Sequence, residues 1–192
     1  FIETNVSDAN SVKTAIKKTI EKYGKLHILH NNAGGSTLQD GPVTEAPIEE
    51  FWRCINLDLF GTFLCSKYAI PEIVKSGGGS VINMSSNVAL MALPGRDCYT
   101  AAKGAIASMT RSMAVEYALD KIRVNAIAPS VTLSDRVKKL LENQIGKCFH
   151  ADYTSYFKKN KNDNRFSSQN SKDQENHMFG LVHKFDHANY LF

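Results

Sequence analysis

With 192 residues, 43% hydrophobic and 22% charged positions and a formal charge of +4, the chain has the material for one domain with a sizeable core. No apolar run is long enough to span a bilayer and the positive charge is spread out, which argues against a membrane or a nucleic acid as partner. Cys54, Cys65, Cys98 and Cys148 lack metal-ligand or redox spacing, so reduced, packed thiols in a cytoplasmic protein are expected, Cys98 among them as a small buried group beside Tyr99. The first residue is Phe and no signal-peptide pattern follows, so the sequence is expected to begin in mid-protein.

Taken in order, Phe1 to Thr4 reads as a strand tail, and Ser7 or Asp8 can cap a helix whose apolar stripe is Val12, Ile16, Ile20 and Tyr23. Gly24 stops it. Leu26, Ile28 and Leu29 form a strand running into Asn31, Asn32, Ala33 and Gly34. Small residues at the carboxyl end of a strand let a flat ligand approach the backbone, which is where open parallel sheets bind nucleotides. His30 is read as a satisfied core or edge histidine, not a ligand. The polar, turn-rich loop from Gly35 to Pro47 is expected to form the rim of a site. Helical stretches follow over Ile48 to Ile55 and Leu57 to Val74, with Asn56 at the break and Pro71 near the end. An Asn in an apolar helix is disfavoured unless it has a special role.

The centre of the chain carries the chemistry. Val81 to Met84 is an apolar run between a glycine turn and Ser85-Ser86, and reads as a buried strand. Thirteen residues after Ser86 comes Tyr99, and four later Lys103, in a segment whose apolar positions Ala102, Ile106, Met109 and Met113 have a helical period. Tyr99 and Lys103 therefore share one helix face. An ammonium beside a phenol favours phenolate, which suits the Tyr to acid/base work, and the Ser86 hydroxyl can hold a carbonyl or alcohol oxygen against it. Lys121 to Ala128 is a further buried strand.

These signals, NNAG at Asn31 to Gly34, an Asn followed by Leu and Gly over Asn56 to Gly61, Ser86, Tyr99 with Lys103, and VNAIAP at Val124 to Pro129, together resemble the short-chain dehydrogenase/reductase family over about residues 1 to 145. The resemblance implies an α/β fold, a truncated Rossmann-like doubly wound parallel sheet with helices on both faces, and a hydride transfer between NAD or NADP and a small-molecule carbonyl or secondary alcohol. It implies Tyr99 as acid/base, Lys103 on the nicotinamide ribose, Ser86 on the substrate oxygen and Asn56 holding a relay water. For the cofactor it implies Asn5 and Val6 at the adenine, Asn32, Ala33 and Gly34 at the adenosine ribose, and Pro129, Ser130, Thr132 and Ser134 near the nicotinamide, with no metal. Asn5 stands where the family usually has Asp, Ser130 where it has Gly, and Ser134 where it has Thr; a plain turn is the other reading of Asn5. A homodimer or homotetramer through the two long helices is a further implication. Val88, Leu90, Leu93, Pro94 and the loop after Gly35 suggest a partly apolar pocket, with Arg96 taken as solvated.

After Asp135 a basic amphipathic helix, Val137 to Leu141 and on towards Ile145, matches the family's substrate lid. Residues 146–192 are rich in Asn, Lys, Ser, Gln and His, and are expected to be a disordered or aberrant tail in which His177, His183 and His187 are too poorly supported for zinc. The family's glycine-rich phosphate loop is not in this sequence, so the chain by itself is expected to bind dinucleotide poorly. Two rival classes remain open on sequence alone: a non-catalytic dinucleotide-binding relative or inactive fragment, and an interaction protein built around the polar tail.

Overall fold

The computed structural model describes residues 1–91, 93–130 and 135. The described residues through Ala128 form one compact unit, and Pro129 opens a second. Thr132, Ser134, the lid helix, the polar tail, Cys148 and the three tail histidines lie outside the described residues.

The first unit is built on a three-stranded parallel sheet: β1 (Ile28–Asn31), β2 (Gly79–Met84) and β3 (Ile122–Ile127), in the order β1-β2-β3. The register pairs Leu29 with Val81 and Val81 with Val124. Helix α1 (Ala9–Tyr23) precedes β1; α2 (Ile48–Cys54), a π-helical turn (Ile55–Phe60) and α3 (Gly61–Lys75) connect β1 to β2; α4 (Asp97–Glu116) connects β2 to β3. Parallel neighbours need such helical crossovers. This is the expected parallel α/β architecture.

Alternation along the strands decides where the core lies. Val81 and Val124 point to one face and meet Ile70 and Ile73 of α3, with Leu29, Met113 and Tyr117 packed around them. Each such aliphatic side chain, fully buried, contributes about 1.5–3 kcal/mol. On the same face, nearer the carboxyl ends, the core turns polar. Asn31 Nδ2 donates to Asn83 Oδ1 (2.8 Å) and Ser66 Oγ (3.1 Å), and Asn83 Nδ2 donates to Thr110 Oγ1 (2.9 Å). This chain of satisfied amides joins β1, β2, α3 and α4 at the level where the strands end, and a satisfied buried network fixes one arrangement in a way that apolar packing does not.

Several local expectations change. Phe1 to Thr4 is not a strand, since a strand requires a ladder partner and the described residues give it none. Asp8, not Ser7, caps α1, accepting from the Asn10 and Ser11 amides, and Gly24 ends it with φ 74°. Tyr23 belongs to no apolar stripe, being 69% exposed. His30 and Ile28 are exposed: they alternate with Leu29 and Asn31 and so point to the other face of the sheet. The break expected at Asn56 is a π-helical turn, which shifts the side-chain register by one residue relative to an α-helix. Gly61 follows it, where a Cβ would come within 2.9 Å of the Val6 side chain, so the absence of a side chain lets α3 pass close to the turn before α1.

Candidate active site

The carboxyl ends of β1 and β2 carry the predicted residues into one place. Just past β1, Gly34 and Gly35 adopt φ 151° and 142°, which a residue with a side chain rarely tolerates. A Cβ on Gly34 would collide with Asp58 Oδ1 and come within 3.3 Å of Lys103 Nζ. Asn32 and Ala33 are exposed, so the backbone at the strand end is open to a ligand. Beyond β2, Ser86 starts a short 3₁₀ turn (Asn87–Ala89) and is 8% exposed; its hydroxyl donates to Asn87 Oδ1 (3.3 Å) and accepts from the Val88 amide (3.4 Å).

Tyr99 and Lys103 lie one turn apart on α4, as the spacing demands. Lys103 Nζ sits 5.4 Å from the centre of the Tyr99 ring. It is 3% exposed and donates to Met84 O at the end of β2 (2.8 Å), while Ser85 Oγ donates to Lys103 O (3.0 Å). A buried ammonium needs a counter-charge. Asp58 supplies it: its Oδ1 lies 2.9 Å from Lys103 Nζ and accepts the Gly35 amide at 2.9 Å, and the side chain is fully buried.

This corrects the part given to Asn56. Asn56 is exposed and its carbonyl accepts the Ser7 hydroxyl (3.1 Å); the residue that the π turn brings to Lys103 is Asp58, two positions on. A signal was there to find. An Asp inside the apolar stretch INLDLFGTF is a charge that helix packing would bury, and such charges have partners.

The rim loop is held by three further buried polar groups that sequence reading passed over. Asp40 caps α4 from a distance: its carboxylate accepts the Cys98 and Tyr99 amides, each at 3.1 Å, as well as its neighbour Gly41's at 2.9 Å. A carboxylate at a helix N-terminus is favoured by hydrogen bonding and by the helix dipole. Arg96 is 7% exposed, not solvated; its guanidinium donates to Ser36 Oγ and, at 2.9 Å, to Thr37 O. Glu50, 1% exposed, pairs with Arg53 (2.7 Å) and accepts from Thr37 Oγ1 (2.9 Å), and Arg53 reaches Gly35 O (2.9 Å). The hydrogen bonds of Arg53 hold the Glu50 carboxyl below the usual range despite the burial that opposes this. Glu50 also holds the guanidinium in its charged form.

Cys54 and Cys98 are buried, as expected. Burial pushes Cys54 up to about 12 and Cys98 up to about 11, and raises Cys65 as well. Asp40, Glu50 and Cys54 do gather their ligand atoms within 4.8 Å, but each is engaged by the protein itself, so the cluster is a hydrogen-bonded joint, not a metal centre.

The remaining predicted residues fall as follows. Asn5 lies in the turn before α1, where its Oδ1 accepts the Ser7 amide at 3.0 Å. Val6 is half-buried behind Gly61. Pro129 and Ser130 follow β3 and belong to the second unit. Among the described residues no helix is long and apolar enough to cross a membrane.

The short chain dehydrogenase family profile matches residues 1–145. Among curated relatives, an uncharacterized oxidoreductase of Thermotoga maritima is 38% identical over 145 residues, covering 75% of this chain and 56% of the relative. The uncharacterized oxidoreductase YxbG of Bacillus subtilis is 43% identical over 148 residues, 76% of this chain and 54% of its own. Among solved structures, ElxO with NADP bound superposes with a TM-score of 0.69 at 33% identity, over 80% of this chain and 60% of that one. The chain thus spans little more than half the length of the curated relatives it matches.

Proposed function

Because the chain belongs to the short-chain dehydrogenase family, we propose that the whole protein transfers a hydride between NAD or NADP and a carbonyl or secondary alcohol, with Tyr99 moving the proton. The observation that carries this is the corner where Lys103 Nζ, 5.4 Å from the Tyr99 ring centre, is anchored to the end of β2 and faces Gly34. The residues at the ends of β1 and β2 suit a dinucleotide: the strand-end backbone is open, the glycines allow close approach, and a buried cation stands behind them. The dinucleotide, when bound, supplies or accepts the hydride.

The protein's own residues orient and move the proton. In reduction Tyr99 gives its phenolic proton to the carbonyl oxygen; in oxidation the phenolate takes it back. Lys103, held by Asp58 and Met84 O, favours the phenolate and directs its remaining hydrogen-bonding capacity to the nicotinamide ribose. Ser86 donates to the substrate oxygen and shares its developing charge. Asn32, Ala33 and Gly34 line the adenosine ribose, with Asn5 and Val6 on the adenine side. NADP is the form held by ElxO, and either dinucleotide is compatible with these residues.

The protein assembles through α3 and α4 as a homodimer or homotetramer. Phe60 and Phe63 stack at 6.2 Å while 39% and 45% exposed, and Val115 of α4 and Leu119 in the turn after it are 76% and 97% exposed, the kind of apolar surface that a second subunit covers.

The test is Tyr99→Phe in the whole protein, assayed for dinucleotide-dependent carbonyl reduction. Turnover should fall by about 10²–10⁴-fold with dinucleotide affinity kept. Unchanged turnover would contradict the proposal and leave a non-catalytic dinucleotide-binding relative as the better reading.

A further inference from the structure

We infer that Asp58 is a positioning residue of this centre: its carboxylate pins the Lys103 ammonium against the end of β2 and offsets part of its charge, which sets the pH at which Tyr99 exchanges its proton. The inference rests on the reading of Tyr99 and Lys103 given above. Its footing is geometric. Asp58 Oδ1 is shared between Lys103 Nζ and the Gly35 amide, both at 2.9 Å, and Met84 O takes a further ammonium hydrogen at 2.8 Å, so Lys103 is held from the helix side and the strand side at once. Asp58 Oδ2 has no hydrogen-bond partner among the described residues although it is fully buried. A carboxylate with one oxygen unsatisfied is kept in such a place only if its charge is matched, and the cation that matches it is the one facing Tyr99.

The electrostatic surroundings are simple. On α4 the pair is faced by Tyr99, and on α2 by Arg53 and Cys54; Arg53 is neutralised by Glu50, and Asp40 acts on Cys54 from the rim loop. Among the described residues, the strands and the loop after β1 bring main-chain groups to the pair, Met84 O and the Gly35 amide, while His30 of β1 is exposed. Lys103 favours phenolate; Asp58 opposes it. Removing the Asp58 charge while keeping its shape therefore leaves more uncompensated positive charge beside the phenol. In the oxidative direction, where phenolate is the working form, the acidic limb of the pH profile moves down.

The experiment uses the whole protein and follows alcohol oxidation at saturating dinucleotide across the pH range for the parent, Asp58→Asn and Tyr99→Phe, with thermal stability measured beside it. Asp58→Asn should shift the limb to lower pH by on the order of one unit, as expected for loss of one charge a few ångströms from the titrating centre. An unmoved limb, with only stability changed, overturns the inference and leaves Asp58 a structural ion-pair partner. If Asp58→Asn does not fold, Asp58→Ser, smaller and also neutral, is read by the same two outcomes. Tyr99→Phe separates the two levels: if it loses turnover while the Asp58 limb stays put, only this inference fails; if Tyr99→Phe keeps turnover, the proton-transfer reading itself fails.

Discussion

The two ends of the sheet are held together by different physics. Towards the middle and amino ends of β2 and β3, Ile70, Ile73, Val81, Ile122 and Val124 form an apolar cluster whose members are at most 4% exposed. Around the carboxyl ends, the buried polar groups include Asn31, Asp40, Glu50, Asp58, Asn83, Arg96 and Lys103. The first region is stabilised by non-directional burial and tolerates changes of shape that keep volume. The second consists of charges and amides that tolerate burial only because each has a specific partner. If the proposed function holds, stability is drawn mainly from one end and chemistry from the other, so substitutions should separate the two.

Ile73→Ala in the apolar cluster should give the largest change in stability, about 2–5 kcal/mol, because Ile73 is fully buried and its neighbours come from two strands. Turnover per folded molecule should stay near the parent value, and chemical denaturation beside active-site titration checks both. A loss of turnover of the same size as that of Tyr99→Phe would show that the two ends are not separable.

The thiols give a gentler probe. At pH 8 a thiol at about 12, such as Cys54, is ionised about a thousandfold less than one at its ordinary 9.0. Alkylation in the folded protein should therefore be slower than in urea by at least that order for Cys54 and by about a hundredfold for Cys98, and mass spectrometry can follow it. The linkage has a definite sign. A thiol whose value is raised by folding leaves stability untouched below about pH 9 and lowers it progressively as pH rises from about 9 towards 12, since the unfolded chain loses its proton first. Cys54→Ala should flatten the alkaline decline. An alkylation rate equal in folded and unfolded protein would contradict the burial of these groups.

What the sequence disclosed follows the same division. The period of Ala102, Ile106 and Met113 and the apolar runs of β2 and β3 are local patterns, and the elements they announce are present within a few residues of the expected bounds. Tyr99 and Lys103 were legible for the same reason, since four residues on a helix is a local distance. The partners at the carboxyl edge were not. Asp40 reaches Tyr99 across 59 positions, Arg96 reaches Ser36 across 60, and Asn31 meets Asn83 across 52. No local period encodes such pairings. The exchange of Asn56 for Asp58 arose differently: the resemblance names Asn56, whereas the π turn carries the side chain of Asp58, two positions on, to Lys103.

The central claim is that Tyr99 and Lys103 act as one proton-transfer unit, and it is tested most directly by comparing Tyr99→Phe, Lys103→Met and the double variant in the same assay of the whole protein. Groups that work as a unit show strongly non-additive losses. The account predicts a double variant no slower than the slower single variant by more than about threefold. Losses that multiply would mean that the two residues act independently, and would contradict it.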